Sequence, residues 1–143
     1  MTATITITNP ILSGMNPDPS WIWDDEFQRI VLVTSTFELV PGLPIYVSED
    51  MTCWKHVSNV IDADLARRLL IPFVDDSGGV YAPTLRRIHG KYVIACTIAR
   101  LDDRRAMEGG CTESELMRFH AAEGNFILEA DSIEGPWRGP FWI

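Results

Sequence analysis

The chain of 143 residues carries 20 acidic against 12 basic side chains, a formal net charge of −8. That balance argues against nucleic acid or an anionic membrane as partner, because both are held through basic patches. Hydrophobic residues make up 46% and aromatics 10%, which excludes a disordered segment and gives enough material for one folded domain.

In chain order, Met1 to Asn9 alternates Thr and Ile, with no basic n-region and no long apolar core, so it does not read as a secretory signal. No run approaches the ~18 apolar residues of a membrane span. Ile5 to Thr8 is expected to be strand-like. Asn16-Pro17-Asp18-Pro19-Ser20 follows. Each proline fixes its own φ at about −65° and pushes the residue before it toward extended geometry. The Asp18 carboxylate therefore stands on a stiffened turn at the entrance to a strand. Trp21 to Phe37 reads as strand, turn and strand, with Asp24 to Arg29 as the hairpin loop and Ile30 to Thr34 as an apolar strand.

Asp62 to Leu70 predicts a short helical turn before Pro72, with Asp62 or Asp64 as its cap. Asp75-Asp-Ser-Gly-Gly79 reads as a flexible loop. Ile88-His-Gly-Lys91 makes a second hairpin, with Gly90 free to take positive φ, and Tyr92 to Ile98 is another apolar strand. Leu101 to Gly124 is a polar insert in which Glu113 to Ala122 is expected to be helical.

Cys53, Cys96 and Cys111 have no metal-like spacing, and Cys53 and Cys96 fall in strand-like runs as buried thiols. A reduced, intracellular protein is the expectation, cytoplasmic or of unknown location. His56, His89 and His120 are scattered and make no triad.

The hairpins repeat. Pro19-Ser20 and Pro83-Thr84 begin comparable units, 64 residues apart (83 − 19). Ile45 to Trp54 and Ile127 to Trp137 then match as apolar strand, acidic turn and Trp, which assigns Trp54 and Trp137 to the blade core. Four-stranded units in series suggest propeller blades of about 40–45 residues. There is room for two, the second enlarged by the insert: blade one over about 17–60 and blade two over about 80–143. Two blades cannot close a ring, so an open blade edge ending in Phe141-Trp142-Ile143 is expected to drive self-association.

Asn16-Pro-Asp-Pro-Ser20, Val33-Thr-Ser-Thr-Phe-Glu38, Pro41-Gly-Leu-Pro-Ile-Tyr46, Ser48-Glu-Asp-Met-Thr-Cys-Trp54, Ser77-Gly-Gly-Val-Tyr-Ala-Pro-Thr84 and Asp131-Ser-Ile-Glu-Gly-Pro-Trp137 occur in this order. Together they resemble the opening of a family 43 glycoside hydrolase, in its β-xylosidase and α-L-arabinofuranosidase branch. The resemblance implies an all-β fold, the N-terminal part, about two blades, of a five-bladed β-propeller. It also implies an inverting glycosidase with an Asp base, a second Asp that tunes the acid, and a Glu acid. Asp18 matches the base. The other two carboxylates lie in the family beyond the stretch resembling Asp131 to Ile143, so the resemblance makes this sequence an N-terminal fragment, inactive alone.

Phe37 and Tyr81 match positions that line the sugar site in the family, with Ala82 and Pro83 shaping the backbone beside them. Aromatic faces suit a sugar ring because its C–H groups pack on the π-surface and leave the hydroxyls for hydrogen bonds. The family often has Trp where Tyr81 stands. Gly78-Gly79 is expected to let the loop approach a ligand closely. Glu134-Gly-Pro136 imitates the surroundings of the family's acid, but Asp131-Ser-Ile before it and Trp137 after it match an outer-strand turn.

The expected partner is a xylo- or arabino-oligosaccharide. No metal ligand is assigned, although the resemblance leaves room for a structural divalent cation in the full propeller. Two other readings stand beside the enzyme: an inactive remnant with weak carbohydrate binding, and an unrelated β-rich interaction module.

Overall fold

The computed structural model describes residues 4–143. Strands β1 (Ser20–Asp24), β2 (Arg29–Val33), β3 (Gly42–Ser48) and β4 (Lys55–Ile61) form one antiparallel sheet in that order. Strands β5 (Val74–Ile88), β6 (Lys91–Leu101), β7 (Asn125–Ala130) and β8 (Arg138–Trp142) form a second sheet, again in order. Each sheet is a four-stranded meander, the unit of a propeller blade.

Local chemistry sets the connections. Asp24 pairs with Arg29 across the first hairpin. Ile88 pairs with Lys91 across the second, where His89 and Gly90 both take positive φ, 49° and 82°. Two left-handed residues match the twist of the flanking strands. Helix α1 (Ala63–Arg68) links the sheets, and the Asp62 side chain caps it by accepting from Leu65 N at 2.8 Å. Between β6 and β7 the insert folds into α2 (Asp103–Glu108) and α3 (Glu113–Ala121). Thr112 and Glu115 start α3 with a reciprocal capping box.

The sequence reading needs correcting in places. Ile5 to Thr8 is irregular chain, because no neighbouring strand pairs with it. Asp75 to Gly79 belongs to β5, where the register shifts between Val74 and Gly79, so the glycines mark a bulge inside a strand. Helix α2 is an addition. Cys53 is exposed in the turn before β4, while Cys96 and Cys111 are buried. Trp54 is only half-buried, just before the outer strand β4, whereas Trp137, just before β8, packs against the core as expected. Trp54 Nε1 donates to Met51 O at 3.1 Å, which explains its place at a turn rather than in the core.

One apolar cluster runs through both sheets, joining Val31, Val33, Leu43 and Ile45 to Leu85, Ile94, Phe126 and Ile133. Polar bonds fix how the sheets meet. Ser20 Oγ accepts from Leu85 N at 3.0 Å, and Ser58 Oγ donates to Ile133 O at 2.6 Å. Asp24, fully buried, accepts from Arg87 Nη1 at 2.5 Å and from the Tyr92 hydroxyl, both on the second sheet. Burial first, and then the bond to Asp24, push the Tyr92 phenol up to about 12. Trp21, Trp23 and Phe141 remain exposed, at 57%, 44% and 49%. Among the described residues no helix is long and apolar enough to cross a membrane.

Candidate active site

The turn Asn16–Ser20 delivers Asp18 to the start of β1, the inner strand that faces β5. The two strands of the first hairpin continue their pairing one step beyond the ladder. Ser20 lies opposite Val33, and two residues further out Asp18 meets Ser35. Ser35 N donates to Pro17 O at 3.0 Å, and the Ser35 hydroxyl donates to Asp18 Oδ2 at 2.5 Å. Ser35 is completely buried, whereas Asp18 is exposed. A short charge-assisted bond thus holds one carboxylate oxygen from beneath.

Asp18 departs from the extended geometry expected before Pro19: its φ is +50°. Asp is among the few side chains that tolerate the left-handed region. The two bonds from Ser35 tie the turn down against the residual strain. Backbone strain of this kind concentrates at functional sites, and here it aims a carboxylate outward.

Phe37, in the connection between β2 and β3, and Tyr81, on β5, come together although they belong to different blades. Phe37 forms a two-way backbone bridge with Val80, its N donating to Val80 O at 3.2 Å and Val80 N donating to Phe37 O at 2.9 Å. The bridge places the two rings edge to face, with centroids 5.1 Å apart. Tyr81 is further fixed by its hydroxyl, which donates to Ser77 O. Gly79 is what permits this approach. Its φ is +96°, and a Cβ there would come 2.2 Å from Phe37 O. The glycine therefore serves the contact between the two sheets.

Ala82 is exposed, with φ +45°, at the second register shift of β5, between Tyr81 and Thr84. It offers backbone shape and no functional group. Beneath Tyr81, the Cys96 thiol donates to Tyr81 O at 2.9 Å. Burial pushes this thiol up to about 12, and the Asp18 charge adds to the rise. Cys96 therefore stays protonated next to Asp18 and does not compete with it as a base. Ser35 and Cys96 escape a reading by motif. The signal for Ser35 was the hairpin register, which sets it across from Asp18 once the turn is placed.

Glu134 has surroundings unlike those of an acid catalyst. It is exposed in the turn after β7, and the Ser132 hydroxyl, then the Arg29 and Lys55 charges, hold its carboxyl below the usual range. A general acid needs the opposite shift. Arg29 also stands beside Asp24, at the far end of β1 from Asp18, six residues away or about 20 Å of strand. Among the described residues no three His, Cys, Asp or Glu side chains converge as a metal centre requires.

The geometry on its own is one carboxylate held by a buried hydroxyl and, separately, one aromatic pair joined across the two propeller blades. Comparison with known proteins identifies the family. The family model "Glycosyl hydrolases family 43" matches residues 7–143. The chain is 39% identical over 134 residues to a putative β-xylosidase of Escherichia coli, covering 94% of this chain and 22% of that protein. It is 36% identical over 140 residues to a non-reducing end α-L-arabinofuranosidase of Bacteroides ovatus, covering 96% of this chain and 22% of the relative. Among solved structures, a xylan β-1,4-xylosidase from Bacillus halodurans superimposes with a TM-score of 0.70 at 29% identity, over 96% of this chain and 23% of the other. The chain thus spans about a fifth of the length of the curated relatives it matches and belongs to glycosyl hydrolase family 43.

Proposed function

We propose that this chain supplies the first two blades and the general base of an inverting glycosidase acting on xylose- or arabinose-containing glycosides. Asp18 is the base. Its Oδ2 is occupied by Ser35, and its other oxygen takes the proton of the attacking water. Phe37 and Tyr81 offer aromatic surface to the sugar ring. An inverting site needs an acid about 6.5–9.5 Å from the base, leaving room for that water. The acid comes from outside these two blades. The observation that supports this reading most is the Asp18 carboxylate, pinned by a buried hydroxyl at a turn with positive φ.

The exposed Trp21, Trp23 and Phe141 make the isolated chain self-associate, and sedimentation as a single monomeric species would contradict that. The enzymatic reading is tested on the intact polypeptide isolated from its source. It is incubated with aryl β-D-xylopyranoside and aryl α-L-arabinofuranoside, and proton NMR follows the anomer first released. Release of the inverted anomer is expected. Retention of configuration, or no hydrolysis of either glycoside, would overturn the proposal.

A further inference from the structure

We propose that Ser35 is the positioning residue for Asp18, assigning the two carboxylate oxygens different roles: Oδ2 is held and Oδ1 is left to act. The inference rests on the reading of Asp18 as the general base. Three observations carry it. First, the Ser35 hydroxyl has two acceptors in reach, Asp18 Oδ2 at 2.5 Å and Pro17 O at 3.4 Å, and only one proton to give. The shorter contact to a charged acceptor is much the stronger, so the proton belongs to the carboxylate.

Second, Ser35 is wholly buried while Asp18 is exposed. Water can turn and replace partners around Oδ1, but it cannot reach the hydroxyl that holds Oδ2. The carboxylate is therefore fixed from the protein side and open only on the solvent side. Third, the structural tie between these residues does not depend on the hydroxyl. Ser35 N donates to Pro17 O at 3.0 Å, and that bond survives replacement of the side chain. Losing the hydroxyl should free the carboxylate to rotate about its own bonds while the turn stays in place.

A base free to rotate presents its lone pair to the water in only a fraction of its orientations. Misplacement of about 1 Å at a reacting group can cost 10²-fold in rate. The prediction is that Ser35→Ala lowers kcat about 10–100-fold and leaves KM within about twofold, since binding through Phe37 and Tyr81 is untouched. A role confined to folding would lower the amount of active protein, and active-site titration corrects for that.

The experiment compares wild type, Ser35→Ala and Asp18→Ala as intact polypeptides, by steady-state kinetics and by crystal structures of the first two. The expected result is the kcat-only loss for Ser35→Ala, together with an Asp18 carboxylate that no longer holds one orientation. A kcat within about twofold of wild type, or a loss expressed in KM, would overturn the inference. So would a carboxylate that keeps its wild-type orientation in Ser35→Ala. Full activity in Asp18→Ala would instead sink the assignment of the base, and the crystal structures would still decide whether Ser35 orients the carboxylate.

Discussion

Asp18 and Ala82 occupy the same place in two successive blades. They are 64 residues apart (82 − 18), each is followed by proline, and each has positive φ, 50° and 45°. The following residues agree: Ser20 opens the paired part of β1 against Val33, and Thr84 resumes the pairing of β5 against Ala95. The backbone device thus belongs to the repeat and the carboxylate to one copy of it. Alanine gains nothing from a left-handed backbone and loses about 1–2 kcal/mol to Cβ crowding. Ala82→Gly should therefore be neutral or up to ~1 kcal/mol stabilising once the extra freedom of the unfolded chain is counted. Urea unfolding checks this, and a clear loss of stability would contradict the account of the turn.

Gly79→Ala should do the reverse. Its Cβ would collide with the Phe37 carbonyl, and the backbone there is one that L side chains rarely adopt. The Phe37–Val80 bridge must then open, separating the aromatic pair. The loss should exceed ~3 kcal/mol, with failure to fold as its extreme form. A thermal transition within a few degrees of wild type would show that the two sheets are not joined as described.

The buried Asp24 predicts a pH signature at the opposite end of the interface. The Tyr92 phenol is pushed up to about 12 in the folded protein, by burial and by Asp24, against about 10 for an unfolded tyrosine. The folded state keeps a proton that the unfolded state has already released. Stability from this group is therefore complete below about pH 10 and is lost as pH rises to about 12. Tyr92→Phe should remove that part of the slope. Asp24→Ala, which strands the Tyr92 hydroxyl and leaves Arg87 with Glu26 alone, should cost about 1–3 kcal/mol. Alkaline urea titrations of the three proteins measure both effects.

The three thiols provide a check on the topology. Cys53 is exposed, whereas Cys96 and Cys111 are buried, and burial raises both buried thiols, Cys96 to about 12. The thiolate is the reactive form. Native protein should therefore react with a chromophoric disulfide at one fast site per chain, and at all three after denaturation. Rapid reaction of two or three thiols in native protein would contradict the core.

Much of this architecture was written in local pattern. The alternation in Tyr92 to Ile98, the His89-Gly90 turn, a cap at Asp62 or Asp64 and the Pro19-Ser20 / Pro83-Thr84 echo are all features of the sequence pattern. They lead to two meanders without any knowledge of tertiary contacts. What stayed hidden depends on the partner sheet. Asp75 to Gly79 has the composition of a loop, yet the approach of Phe37 recruits its end into β5. Cys53 follows a strand-like run but falls on the far side of the β3–β4 turn. The role of Ser35 is invisible in its neighbours, since only the hairpin register brings it under Asp18. Buried polar groups such as Asp24 are the hardest to foresee, because both of its closest partners come from the other blade.

The most direct test of the central claim is the turnover of the intact polypeptide with Asp18 replaced by alanine, on aryl β-D-xylopyranoside and α-L-arabinofuranoside. If Asp18 is the base, kcat should fall by about 10²–10⁴-fold, while far-UV circular dichroism and the melting transition stay close to wild type. Retention of most of the wild-type rate by a folded Asp18→Ala protein would contradict the account.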